Sequence, residues 1–163
     1  QKPHHAAALA DRGRLALRRG QLAAAETWLR HALVHEPSNY QARYQLAECL
    51  LQQGETDEVL QQEQRLKQLE ADQKRFHQIV TQEMSQKPHD PSLRHELAMI
   101  LLRSGDVEEG LRWLHNTLRE DPTSVPLHRA LAEYYQLTGD EERAAYHRQF
   151  VPSKPAEPAP RSK

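Results

Sequence analysis

The sequence predicts an all-α fold, a row of antiparallel helix pairs, and three observations carry that prediction. The stretch from Pro91 to Ser124 reads as one complete helical hairpin. Asp90 is placed to cap a helix with Pro91 in its first turn, and Leu93, Leu97, Met99, Ile100, Leu101 and Leu102 recur mostly three or four residues apart before Gly105 ends the run. Asp106 with Glu109 three residues on is a capping-box signal for a second helix, whose Val107, Leu111, Leu114 and Leu118 form one apolar stripe before Asp121-Pro122. The second observation is that the punctuation repeats: Gly20, Gly54, Gly105 and Gly139 are separated by 34, 51 and 34 residues, and Pro37, Pro88 and Pro122 by 51 and 34. The third is that Trp28 and Trp113, each followed by Leu, lie 85 apart, which is one long and one regular interval. A hairpin of this size cannot bury both apolar faces alone, so a series of them in one register implies stacking.

The first hairpin runs from about His4 to Glu36. Its opening helix is rich in Ala and Arg; its second buries Ala25, Leu29, Ala32 and Leu33, with Trp28 on the flank. His31 and His35 stand one turn apart, but with no Cys, Asp or third His at matching spacing they read as exposed helix residues, and the order H-E-x-x-H is missing. Ser38 or Asn39 caps the next helix, which ends at Gly54; Cys49, among Leu46, Leu50 and Leu51, reads as a small core residue. From Thr56 to about Gln86 there is neither Gly nor Pro, a span about twice that of an ordinary second helix. The 17 extra residues of this 51-residue unit add about 25 Å of helix, so the segment, if unbroken, is expected to project beyond the stack. Val59, Leu66, Gln73 and Val80 are spaced by seven, as are Leu69 and Phe76, like a coiled-coil seam with one polar gap. Two outcomes stay open: a helix that pairs with another chain, or one that covers its own repeats or bends back through Glu70 to Gln73. The last pair comprises Pro126 to Leu137 and a helix opened by Gly139-Asp140 that reaches about Phe150, polar enough to end an array. Beyond Val151, four prolines in residues 152–163 and no large apolar group give a segment expected to be extended or disordered, as a linker or a short-peptide ligand.

A 34-residue helix-turn-helix carrying W-x2-L-G-x2-Y, then A-x3-F, then P is the signature of the tetratricopeptide repeat, and the sequence resembles that family over nearly its whole length. The residues that carry the resemblance are Gly13, Ala16, Ala25, Leu29, Ala32 and Pro37; Leu46, Ala47 and Leu50; Leu97, Ala98, Leu101, Gly110, Leu114 and Pro122; and Leu131, Ala132, Tyr135 and Ala144. No first helix has the family's Trp, Arg12 replaces the usual Leu, and Arg148 stands where an aromatic belongs. The resemblance implies a right-handed superhelical solenoid over residues 1–150. Its repeats would lie at about 6–39, 40–90 with the 17-residue insertion, 91–124 and 125–150, followed by the tail 151–163. It further implies a concave groove, lined by the first helices, that binds a peptide or a partner's helix. The family's groove-facing places fall on Arg14 and Arg18, on Tyr44, Gln45 and Glu48, on His95, Met99 and Arg103, and on Arg129 and Glu133. One subfamily binds acidic chaperone C-termini through a paired Lys and Asn set; Ala10 and Arg14 occupy the first such pair, so that ligand is not implied.

Bulk properties narrow the function further. Lys plus Arg number 22 against 23 Asp plus Glu, so no net charge draws the chain to nucleic acid or to an anionic membrane. There is no run of about 18 apolar residues to insert in a bilayer, and a start at Gln1-Lys2-Pro3 without Met reads as a processed or excised piece. One cysteine excludes an internal disulfide. Gly-rich phosphate loops, Cys pairs and the G-x-S-x-G turn are all missing, so no catalysis, cofactor or metal is expected, and what the resemblance implies is a scaffold for a protein or peptide partner. The alternative is a self-associating module, a homodimer formed through residues 56–86 by Leu66, Leu69, Phe76 and Val80.

Overall fold

The structure, a computed structural model, describes residues 3–152, and they are helices joined by short turns with no strand among them. α1 (Pro3–Arg18) pairs with α2 (Leu22–His35), and α3 (Tyr40–Gln53) with α4 (Thr56–Gln78). α4 runs on without a break through a π-helical turn, Ile79–Glu83, into the short α5 (Met84–Gln86). α6 (Pro91–Ser104) pairs with α7 (Val107–Glu120), and α8 (Val125–Leu137) with α9 (Glu141–Arg148). The fold is an all-α helical-repeat solenoid. From residue 153 the Pro-rich segment lies outside the described residues.

The local signals mostly do what their chemistry dictates. Asn39 caps α3 by accepting from the Ala42 N–H at 2.8 Å, Asp90 caps α6 from the Ser92 N–H at 2.9 Å, and Asp140 caps α9 from the Arg143 N–H. The capping box expected at Asp106 does not form. Asp106 makes no side-chain bond to the helix start, and Glu109 pairs instead with Arg112 one turn on. At Gly105 the chain adopts φ +95, and a Cβ there would stand 2.8 Å from Pro37 Cδ, so the α6–α7 turn closes directly on the α2–α3 loop.

Packing divides into two main cores with a smaller one between them. Leu9, Leu29, Leu46, Leu50 and Cys49 fill the first, beneath α1 to α4. Leu114, Leu127, Leu131, Tyr135 and Ala144 fill the second, beneath α6 to α9. Each has one close helix crossing that requires glycine: a Cβ on Gly13 would lie 2.6 Å from Leu29 Cγ, and one on Gly110 would lie 2.8 Å from Leu102 Cγ. Cys49 is fully buried, its thiol donates towards the Leu22 carbonyl, and burial pushes its pKa up, as befits a core residue. Arg12, at the family's Leu position, lies 5.2 Å over the Trp28 ring, so a cation–π contact replaces apolar packing there.

The third core belongs to the long helix, and it corrects the expectation that this helix projects. α4 is unbroken through Glu70 to Gln73, yet it leans on α6: Ile79, fully buried, packs with Leu93, Leu97, Ile100 and Leu101. The π-helical turn follows this contact: one extra residue in a turn rotates the side chains after it by about 100°, and Met84, just past the turn, packs on the same core.

A side chain in each of three first helices reaches back to the proline carbonyl of the preceding loop. Arg43 donates to the Pro37 carbonyl at 2.8 Å, Arg94 to that of Pro88 at 2.9 Å, and His128 Nε2 to that of Pro122 at 3.0 Å. Because that carbonyl only accepts, His128 holds its proton on Nε2, and its Nδ1 accepts from His147 Nδ1–H at 2.9 Å. His147 stacks on Tyr135 from α8, and its pKa is pushed down to about 4 by burial and then by the neighbouring His128 and His115.

Two predictions follow from these contacts. Gly105→Ala is expected to destabilise the fold by the left-handed backbone cost of about 1–2 kcal/mol plus about 1–3 kcal/mol for the clash with Pro37. Gly20→Ala, with φ +70 and open space around it, incurs only the first cost; urea denaturation of both variants makes the comparison. Between the unfolded His value of 6.5 and the folded value of about 4, the unfolded chain binds a proton that folded His147 does not. Stability is therefore full above that window and falls as pH is lowered through it, by roughly 2–4 °C in melting temperature per kcal/mol lost. In His147→Gln this part of the pH slope should disappear.

Candidate protein-interaction surface

First helices alternate a buried face with an open one, so the sequence-predicted groove residues divide according to which face they occupy. Arg14 and Arg18 on α1, Glu48 on α3, and Arg129 and Glu133 on α8 are exposed; Arg14 also pairs with Asp11 one turn away at 2.8 Å. Tyr44, on α3, is 55% exposed, and Tyr40 one turn before it is also open to solvent. Other members of the set are withdrawn from the surface. Gln45 is only 6% exposed, His95 is half-buried with its pKa lowered by burial, and Met99 packs against the core of α6 to α9.

Arg103 is engaged by the chain itself. Its Nε and Nη2 donate to Asp72 Oδ2 and Oδ1 at 2.8 and 2.7 Å, a two-pronged pair between α6 and α4. Gln68 adds a third bond to Asp72 at 2.8 Å. Burial alone would raise the Asp72 pKa, but Arg103 and Gln68 outweigh it and hold the carboxyl below its ordinary range. One turn further along α4, Arg75 grips Glu96 with both prongs at 2.7 Å and also bonds Glu83 at the end of the π-helical turn. The Arg75 bond lowers the Glu96 pKa, and the two glutamates raise that of Arg75. Tyr40 donates to Glu70 at 2.9 Å from the α3 side. Sequence reasoning missed Asp72 and Arg75, since an Asp and an Arg among many polar residues on a long helix give no signal that each faces a partner on another helix.

The predicted self-association residues are likewise divided. Leu66 is 8% exposed and buried within its own chain, Leu69 is half-buried, and Phe76 and Val80 are 38% and 48% exposed. They form no continuous open stripe. Leu69 and Phe76 face a cavity of about 390 Å³ between α3, α4 and α6, which is shared with Tyr40, Ile100 and Leu101.

His31 and His35 are turned to different neighbours, His31 to the edge of Trp28 and His35 to His5. Among the described residues no three His, Cys, Asp or Glu side chains gather as a metal site, and no helix is long and apolar enough to cross a membrane.

Tetratricopeptide-repeat family models match residues 10–74 and residues 91–116, together spanning members of all but the last helix pair. The chain belongs to the tetratricopeptide-repeat family. Among solved structures it is similar to MamA from Desulfovibrio magneticus RS-1, at 17% identity over 89% of this chain and 92% of that chain with a TM-score of 0.39. It is also similar to MamA of MSR-1, at 18% identity over 85% and 70% with a TM-score of 0.37. A third is a candidate protein-binding protein from Bacteroides ovatus ATCC 8483, at 13% identity over 89% and 78% with a TM-score of 0.33. At such scores the likeness carries no argument, and the family assignment rests on the repeat matches. No curated protein sequence matches significantly. As a tetratricopeptide-repeat protein the chain is a protein–protein interaction scaffold.

If the Asp72–Arg103 pair holds α4 to α6, Asp72→Asn should destabilise the protein by about 1–3 kcal/mol, because it leaves a charged fork short of its acceptor. Arg103→Gln should cost a similar amount. Chemical denaturation of both variants and of the double variant is expected to show a combined loss smaller than the sum of the two.

Proposed function

We propose that this scaffold is non-catalytic and holds an extended peptide or a partner's helix along the open face of its first helices, within the four-repeat division set out above. The observation that carries this reading is Tyr44, a large aromatic side chain more than half exposed on α3, with Tyr40 one turn away. Tyrosine brings a rigid apolar ring and a polar tip at small entropic cost, and it is enriched where proteins bind one another. Arg14 and Arg18 on α1 and Glu48 on α3 are exposed as well and supply charge that can be read by a partner's backbone and side chains. The cores beneath are closed by Leu29, Leu46 and Leu50, so the groove is rigid before binding and the ligand alone is ordered. Arg103 and Gln45 contribute to the fold instead.

A second reading, self-association, is favoured by Leu60, Phe76 and Val80, apolar side chains left open along α4 and its π-helical continuation. Light scattering of the purified chain over a concentration range separates the two, since only a dimer changes mass with dilution.

Peptides selected against the protein from a displayed random library provide the test of the first reading. Tyr44→Ala and Arg14→Glu are expected to weaken the selected peptides about tenfold or more, with melting temperatures unchanged. Selected peptides that bind both variants as they bind the parent would overturn it.

A further inference from the structure

The first helices of neighbouring pairs pack on one another at both ends of the chain, α1 on α3 and α6 on α8, but α3 does not pack in the same way on α6. The insertion in α4 separates them, and the space where a first helix would continue the row is a cleft. It has two adjoining chambers that share Leu69 and Asp72. The larger, about 390 Å³, is walled by Tyr40, Leu69, Phe76, Ile100 and Leu101. The smaller, about 330 Å³, is walled by Pro37, Arg43, Arg65, Gln68 and Arg103. We propose that this cleft is a second docking site, for a segment of a partner protein in which an aromatic or branched aliphatic side chain stands beside an Asp or Glu.

The commitment to that chemistry comes from the charges. The smaller chamber gathers three guanidinium groups around one carboxylate, Asp72, which is already engaged by the Arg103 fork and by Gln68. Arg43 spends one terminal nitrogen on Gln62 and the other on the Pro37 carbonyl, and its Nε–H is buried with no partner. Burial, and then the nearby Arg65, lower the pKa of Arg43. Arg65 is exposed and makes no ion pair among the described residues. An incoming carboxylate would meet the free guanidinium of Arg65, with the positive charges of Arg43 and Arg103 on the same wall. The larger chamber repels the same group, because Glu70 and Asp106 stand on its rim, so the charge and the apolar side chain of a ligand are sorted to opposite ends. A volume of this order accepts one large side chain. The chain's own residues 153–163 do not fit the description, since they are net basic and lack a large apolar residue. Tyr40 borders both this site and the open first-helix face, but Arg14, Tyr44 and Arg129 line neither chamber, so substitutions there separate the two proposals.

The probe is the capped tetrapeptide acetyl-Gly-Asp-Phe-Gly-amide, with binding followed through backbone amide shifts in NMR spectra of the protein. The expected result is saturable binding with the largest shifts along Leu69 to Phe76 and Ile100 to Ser104. The peptide with Asn in place of Asp should bind about tenfold more weakly, as should the Arg65→Gln protein. Gln73→Trp, which fills the mouth of the larger chamber from an exposed position, should abolish binding, while Arg14→Glu should leave it unchanged. Thermal unfolding of each variant confirms that the fold persists. Absence of saturation up to millimolar peptide would overturn the proposal. So would equal affinity for the Asp and Asn peptides, or binding of inorganic phosphate at the three arginines without binding of the peptide.

Discussion

The two ionic clasps between α4 and α6, Asp72 with Arg103 and Arg75 with Glu96, are the contacts on which the rest of the structure depends. They act together with the Ile79 core and the close approach of Gly105 to Pro37 in joining the two stacks. Each clasp is two-pronged, which fixes the roll of the long helix as well as its distance, and each is only partly exposed, so solvent weakens it less than it would a surface pair. Ile79, one turn beyond Arg75, packs in the core of α6, and Met84 joins the same core from the far side of the π-helical turn. The insertion is thus spent in bridging the two halves, and none of it hangs in solvent as a free arm.

The consequence for binding is a division of labour on first helices. On the proposed reading, a residue on the open side of a first helix has two uses, to meet a ligand or to meet another part of the chain. Tyr44 and Arg18 remain open because nothing in the fold approaches them. Arg103 occupies an equivalent family position, yet it is satisfied by a carboxylate from the same molecule. The long helix therefore removes the third pair from the common open face and creates a cleft beside it.

Most of the fold was legible in the sequence because the signals were local and periodic. Asn39, Asp90 and Asp140 announced helix starts and do cap them, and the glycine spacing placed the turns. Asp106 shows the limit of such a signal, since its capping partner Glu109 had a stronger offer from Arg112. The path of α4 was not legible. Its heptad pattern is real, but Leu66 and Leu69 are consumed by the chain itself, and no local rule states which of many polar residues will find a partner thirty positions away. The burial of Gln45 was not legible for a related reason: helical period assigns a face, and how far a neighbouring helix covers that face depends on the packing of the whole array.

The bond from a first helix back to the preceding proline carbonyl is made by Arg43, by Arg94 and by His128, three side chains of two kinds at one register position. What that place demands is a donor that reaches, whatever its shape or charge. Two different letters thus make the same fastening in three repeats of one chain, so the regular stride of the array is held at this place by a bond that a residue-by-residue comparison of the repeats does not show.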